Sequence, residues 1–275
     1  MDEIKFMVTT VFSGWLLVAA VFFLLWVRNV RETNAGWVDF GWSLSLVLLT
    51  GWYASMAEGE LWRRCFYFAL AGAWGLRLAV YLWRRIRREE TEDPRYAELR
   101  AHWGKAANAR FFFFFQAQGV ANLLLTAPIL LLMHNPKTLP TLWDGLGLLV
   151  ILGAVAGETV ADQQLARFKA DPANKGTTCR RGLWAWSRHP NYFFEWLHWI
   201  GYPVLGGALL GTSLAVYWPL TLLGPLVMFL LLLQFTGIPY TEKQALKSRG
   251  EDYRAYQREV SAFFPRPPRS SSSTS

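Results

Sequence analysis

Cysteine is scarce, acid is outnumbered by base, and the signatures of the common soluble nucleotide and metal enzymes are missing from this 275-residue sequence. The only cysteines are Cys65, in an apolar stretch, and Cys179, in a polar loop. That argues against a disulfide framework, and without a CxxC pair there is no thiolate metal site. His102, His134, His189 and His198 show no HExxH or comparable ligand spacing, so no metal centre is expected. No G-x-G-x-x-G follows a strand and no P-loop occurs, so any nucleotide must be held outside those frames. Without a convincing internal repeat, an inverted-repeat transporter is not favoured.

Hydrophobic residues make up 53% of the chain and aromatics 16%, and they are clustered. A helix needs about 20 apolar residues to cross ~30 Å of hydrocarbon. Seven stretches qualify, at roughly 7–27, 36–56, 65–83, 111–133, 142–161, 190–210 and 215–238. The five consecutive phenylalanines Phe111 to Phe115 and the run Leu230 to Leu233 are hard to bury in a soluble core. The N-terminus does not read as a secretory signal, because Asp2 and Glu3 outnumber Lys5 and Trp26-Val27-Arg28 is not a small-residue cleavage site. The expected fold is therefore an all-α polytopic membrane bundle of about seven transmembrane helices.

A net charge of +8 invites a nucleic-acid reading, but its distribution argues against one. With the N-terminus outside, 23 of the 28 basic residues fall in inner loops, leaving Lys5, Arg63, Arg64 and Lys137 outside and Arg77 within a span. This positive-inside bias places the C-terminus in the cytosol, and the same charge serves to attract anionic lipid headgroups. Residues 1–265 are expected to form one transmembrane domain, with the cofactor side in about 142–265. Residues 266–275 lack an apolar anchor and read as a disordered tail.

Polar groups collect at a few places. In the stretch from Arg180 to Glu195, Arg181 and Arg188 supply further positive charge and Pro190 suits the first turn of a helix. Asn191 and Glu195 then share a face at the cytosolic mouth of a span. Glu158 and Asp162 are also four apart, and Arg77, one turn before Tyr81, is the natural counter-charge for Glu158. Asp39 lies between Trp37 and Trp42, where desolvation would raise its pKa toward a neutral, proton-donating form. Thr241 to Val260 reads as an amphipathic cytosolic helix carrying Leu246, Tyr253 and Tyr256.

The stretch from Glu158 onward contains Arg-His-Pro-Asn-Tyr-x-x-Glu (188–195), then Gly201-Tyr202, Asp252-Tyr253 and Ala262-Phe263-Phe264-Pro265. It resembles the C-terminal domain of the steroid 5α-reductase family, and more closely that family's bacterial branch, which Val38-Asp39-Phe40-Gly41-Trp42 also resembles. The resemblance implies a multi-pass enzyme of the bacterial inner membrane that holds NADPH in a cavity open to the cytosol. It would pass hydride to the conjugated C=C bond of a lipophilic enone of steroid, isoprenoid or lipid type. By the same resemblance Arg77, Tyr81, Asp162, Arg180, Asn191 and Glu195 match cofactor contacts, Glu158 stands where the steroid enzymes have Asn, and Lys169 where they have Arg. Arg88, Arg181 and Arg188 are further cytosolic candidates for the cofactor phosphates. Trp74 occupies the place of the family's proton-donating Tyr, so Asp39 becomes the replacement acid, with Glu158 its competitor. The Arg-His-Pro-x-Tyr signature also appears in S-adenosylmethionine-dependent membrane methyltransferases of the isoprenylcysteine carboxyl methyltransferase type, which stands as the alternative. A non-catalytic membrane protein or small transporter is the third class.

Overall fold

In the computed structural model, which describes residues 2–88, 91–235 and 237–268, the chain is helical and no strand occurs among the described residues. In chain order it forms α1 (Asp2–Glu32), α2 (Trp37–Met56), α3 (Leu61–Ile86), α4 (Pro94–Trp103), α5 (Ala107–Met133), α6 (Leu142–Ala170), α7 (Pro190–Gly206), α8 (Leu223–Leu230) and α9 (Ile238–Glu259). Most of the expected tail, 269–275, lies outside the described residues.

Among the described residues, five helical stretches are long and apolar enough to cross a membrane: Lys5–Glu32, Leu61–Ile86, Pro94–Met133, Leu142–Ala170 and Ser213–Glu259. They coincide with five of the seven expected spans. The other two expected spans are helices as well, but fall outside that set. The 20 residues of α2 include serine, threonine, glycine and tyrosine in place of aliphatics. At 17 residues, α7 is about 25 Å long, short of ~30 Å of hydrocarbon. Charged α4 and α9 extend two of the stretches and lie beyond their apolar segments.

Local chemistry fixes the boundaries. Asp93 caps α4 by accepting from the Arg95 backbone N–H at 2.9 Å, with Pro94 at the first turn. Thr141 and Asp144 form a reciprocal capping box at the start of α6. Pro190 opens α7, where its missing N–H costs nothing. Within α9 the backbone breaks at Gly250, whose φ of 51° is left-handed and suits glycine.

The chain divides into two compact units, Met1–Pro140 with Leu209–Leu223, and Thr141–Ala208 with Gly224–Ser275. Segment 209–223 thus leaves the expected cofactor half and joins the first unit. In the first unit α2 packs on α3 and α1 on α5. A Cβ on Gly75 would come within 3.1 Å of the Ser43 carbonyl oxygen, so α2 and α3 approach closely there. In the second unit α6 packs along α7, and a Cβ on Gly147 would stand 2.9 Å from the Leu205 backbone nitrogen. Val8, Leu24, Phe113, Leu149 and Leu226 are exposed, an arrangement suited to lipid rather than water.

Candidate functional site

The second unit contains a cavity of about 240 Å³ at the start of α7. Three cations line it: Lys169 from the end of α6, Arg188 from the loop before α7, and Arg249 from the turn of α9 that precedes the Gly250 break. Asn191 and Tyr192, on the first turn of α7, add neutral polar groups. Thr178 also lines the cavity; it is 7% exposed, and its hydroxyl has no hydrogen-bond partner among the described residues. A buried hydroxyl left without a partner is costly. Cys179 borders both this cavity and a neighbouring one of about 390 Å³ that Arg167 and Arg181 line, so the two adjoin.

One carboxylate organises this wall. Glu242 on α9 accepts from Arg188 Nε at 2.6 Å, from Gln257 Nε2 at 2.8 Å and from the Tyr253 hydroxyl at 3.4 Å, and lies 3.4 Å from His189 Nε2. Burial by itself would raise the Glu242 pKa; the hydrogen bonds from His189, Arg188 and Gln257 and the charge of Arg188 outweigh it and bring it down to about 2. For His189 burial dominates, and its pKa is lowered despite Glu242. The imidazole is therefore neutral near pH 7, stacked on Tyr192 with 5.4 Å between ring centroids. Burial and the Glu242 charge push Tyr253 up to about 12.

The motif preceding α7 is fastened to the C-terminal segment. The Ser187 hydroxyl donates to the Phe263 carbonyl at 2.8 Å, the Arg188 N–H to Ser261 at 2.8 Å, and Arg188 Nη1 to Val260 at 2.6 Å. The buried Tyr256 hydroxyl donates to the Trp184 carbonyl at 2.5 Å. These bonds tie the Arg-His-Pro-Asn-Tyr stretch to the segment that ends in Ala-Phe-Phe-Pro.

Of the expected cofactor residues, the cavity gathers Lys169, Arg188 and Asn191, while Arg181 borders its neighbour. Arg180, expected to face the cofactor, instead pairs with Glu259 at 2.6 Å and with Asp252 at 3.2 Å, latching the loop to α9. Glu195 is half-buried on α7, Glu158 half-buried on α6, and Asp162 exposed on α6. Arg77, Tyr81 and Arg88 are exposed and Trp74 is buried; all four are in the first unit, whereas Glu158 is in the second. Trp74 meets Trp42 edge-on at 6.3 Å.

Asp39 requires a correction. The sequence suggested a carboxyl flanked by Trp37 and Trp42 and desolvated there, but its oxygens accept from Arg95 Nη2 at 2.6 Å and the Tyr96 hydroxyl at 2.5 Å. Arg95 also bonds Asp93, which Arg85 reaches at 2.9 Å. Burial opposes ionisation of Asp93, yet the hydrogen bonds and charge of Arg95, with the charge of Arg85, hold its pKa below the usual value. Glu92 and Arg100 close a parallel pair at 2.7 Å, and Glu92 also accepts from the Ala35 N–H.

Sequence reasoning missed Thr178, Thr241 and Arg249 as parts of the cavity wall, and Glu242 as the partner of Arg188. Only the amphipathic character of α9 pointed toward the last three, and spacing cannot reveal which of its charged residues turn inward.

No solved structure matches the chain. An uncharacterized protein of Schizosaccharomyces pombe is 28% identical over 266 residues, covering 88% of this chain and 74% of that protein. Residues 25–260, which include both the Asp39 cluster and the cation-lined cavity, match the family model described as "Protein of unknown function (DUF1295)", and the chain belongs to that family.

Proposed function

We propose that this protein is an NADPH-dependent membrane reductase acting on a lipophilic enone, with its cofactor phosphates in the cation-lined cavity of the second unit. The observation that carries the reading is the gathering of Lys169, Arg188 and Arg249 with the Asn191 amide on one cavity. Three cations and an amide N–H form a donor set for a phosphate and its sugar. At about 240 Å³ the cavity lies below the ~300–1,000 Å³ typical of small-molecule sites. It suits a phosphate and its sugar, and the adjoining space lined by Arg181 and Arg167 suits the rest of a dinucleotide. Lys169 and Arg249 would hold the phosphate, and Asn191 would bond a sugar or amide group.

When bound, NADPH supplies the hydride. The chain's part is to orient it and to present a donor to the enone oxygen, where negative charge develops. Neutral His189, held by Glu242, is suited to orienting rather than to delivering a proton. The steroid 5α-reductase resemblance supports the reaction class. The apolar exterior supports a substrate drawn from lipid, and the inward bias of base supports a cytosolic cavity in a bacterial inner membrane.

Titration of purified protein with NADPH and with S-adenosylmethionine tests the reading. NADPH alone should bind. Binding of the methyl donor alone would transfer the site to a methyltransferase, and binding of neither would favour a non-catalytic protein.

A further inference from the structure

The first unit holds a groove that the cofactor reading does not use. Its volume is about 490 Å³, and it runs between α1, α5 and the 3₁₀ segment Ser213–Leu222. Val8, Phe12 and Trp15 form one wall, Pro128 and Leu131 another, and Leu220 a third. Ten residues are long for a 3₁₀ helix, and this thin, tightly wound element carries Pro219, while Pro128 lies inside α5. Pro128 and Leu220, the neighbour of Pro219, both line the groove beside α1. A dry apolar hollow takes up apolar matter rather than water.

The pattern along α1 identifies that matter. Val8, Phe12 and Trp15 recur at helical spacing on one face, and Lys5 falls three residues before Val8 on the same face. From Lys5 to Trp15 the helix rises about 15 Å, half of the ~30 Å hydrocarbon core and thus one leaflet deep. Lys5, one turn beyond the lining residues on that face, thus sets a cation at the headgroup level with the apolar groove below it. We propose that it is a binding site for one phospholipid, with an acyl chain along Val8, Phe12 and Leu131 and the headgroup phosphate against Lys5. A second copy of this chain fits less well, since an apolar helix would leave Lys5 without a counter-charge.

The test is photo-crosslinking of the full chain, reconstituted in phosphatidylcholine–phosphatidylglycerol vesicles that contain a phospholipid with a diazirine in one acyl chain. Peptide mapping should place label on residues 7–15, 127–131 and 217–223 severalfold above that on Leu149 and Leu152, which are also exposed and apolar. Ala127→Phe should fill the groove and abolish the excess, and Val11→Phe serves if that variant fails to fold. Lys5→Glu should lower retention of co-purified phospholipid while the melting temperature is unchanged. Even labelling of all exposed apolar faces, undiminished label in the filled variants, or cross-links between two protein chains at these residues would overturn the proposal.

Discussion

Arg95 donates to Asp39 across 2.6 Å, joining α4 to the first turn of α2, and the neighbouring Tyr96 donates to the other carboxylate oxygen. Asp39 therefore acts first as a link between helices. Asp39→Asn is expected to lower the unfolding midpoint in detergent. In a double-mutant cycle with Arg95→Ala, a coupling of about 1 kcal/mol is expected. Normal stability with lost turnover on an identified enone would instead return Asp39 to the role of proton donor.

Acid should weaken the second unit in two windows. Glu242 has a depressed pKa, so its contribution is complete above the unfolded value of 4.5 and is lost as pH falls through about 2. That contribution is at most about 3 kcal/mol. His189, also depressed, adds a loss that begins as pH falls below its ordinary 6.5, because the unfolded chain then takes up a proton that the folded chain resists. Thermal unfolding of wild type and Glu242→Gln between pH 7 and 3 should show the lower window flattened in the variant and the upper one retained.

The cation wall should discriminate phosphorylated ligands. Removing one charge-assisted contact costs roughly 1.5–3 kcal/mol, about ten- to a hundredfold in affinity. Arg249→Ala and Lys169→Ala should each weaken NADPH by that factor and leave the melting temperature near normal. Arg188→Ala should lower both, because Arg188 also bonds Glu242 and Val260. Equal NADPH affinity in all three variants would remove the cavity from the cofactor reading.

The α6–α7 interface offers a test of packing independent of any ligand. A methyl group on Gly147 would press on the Leu205 backbone nitrogen, which cannot rotate away. Gly147→Ala should therefore destabilise by roughly 1–3 kcal/mol, read from denaturant unfolding. Gly145→Ala, two residues away and with open space around its Cβ position, should be neutral or slightly stabilising.

Membrane character was legible because it is additive along the chain. The runs around Phe111 to Phe115 and Leu230 to Leu233 declare themselves whatever their neighbours do, and the capping role of Pro190 is likewise local. The site was legible only in part. Lys169, Arg188 and Asn191 share the cavity, while Arg180 is latched to Asp252 and Glu259, acids more than seventy positions along the chain.

By itself the sequence determined an all-helical chain, its apolar stretches and the start of α7 at Pro190, since hydrophobic length and end chemistry act within a few turns. Only the tertiary structure decided which charges face a cavity and which neutralise one another. Asp39 with Arg95, Arg180 with Glu259 and Glu242 with Arg188 are pairings between distant segments. The energy of each depends on separation and burial, and chain position supplies neither.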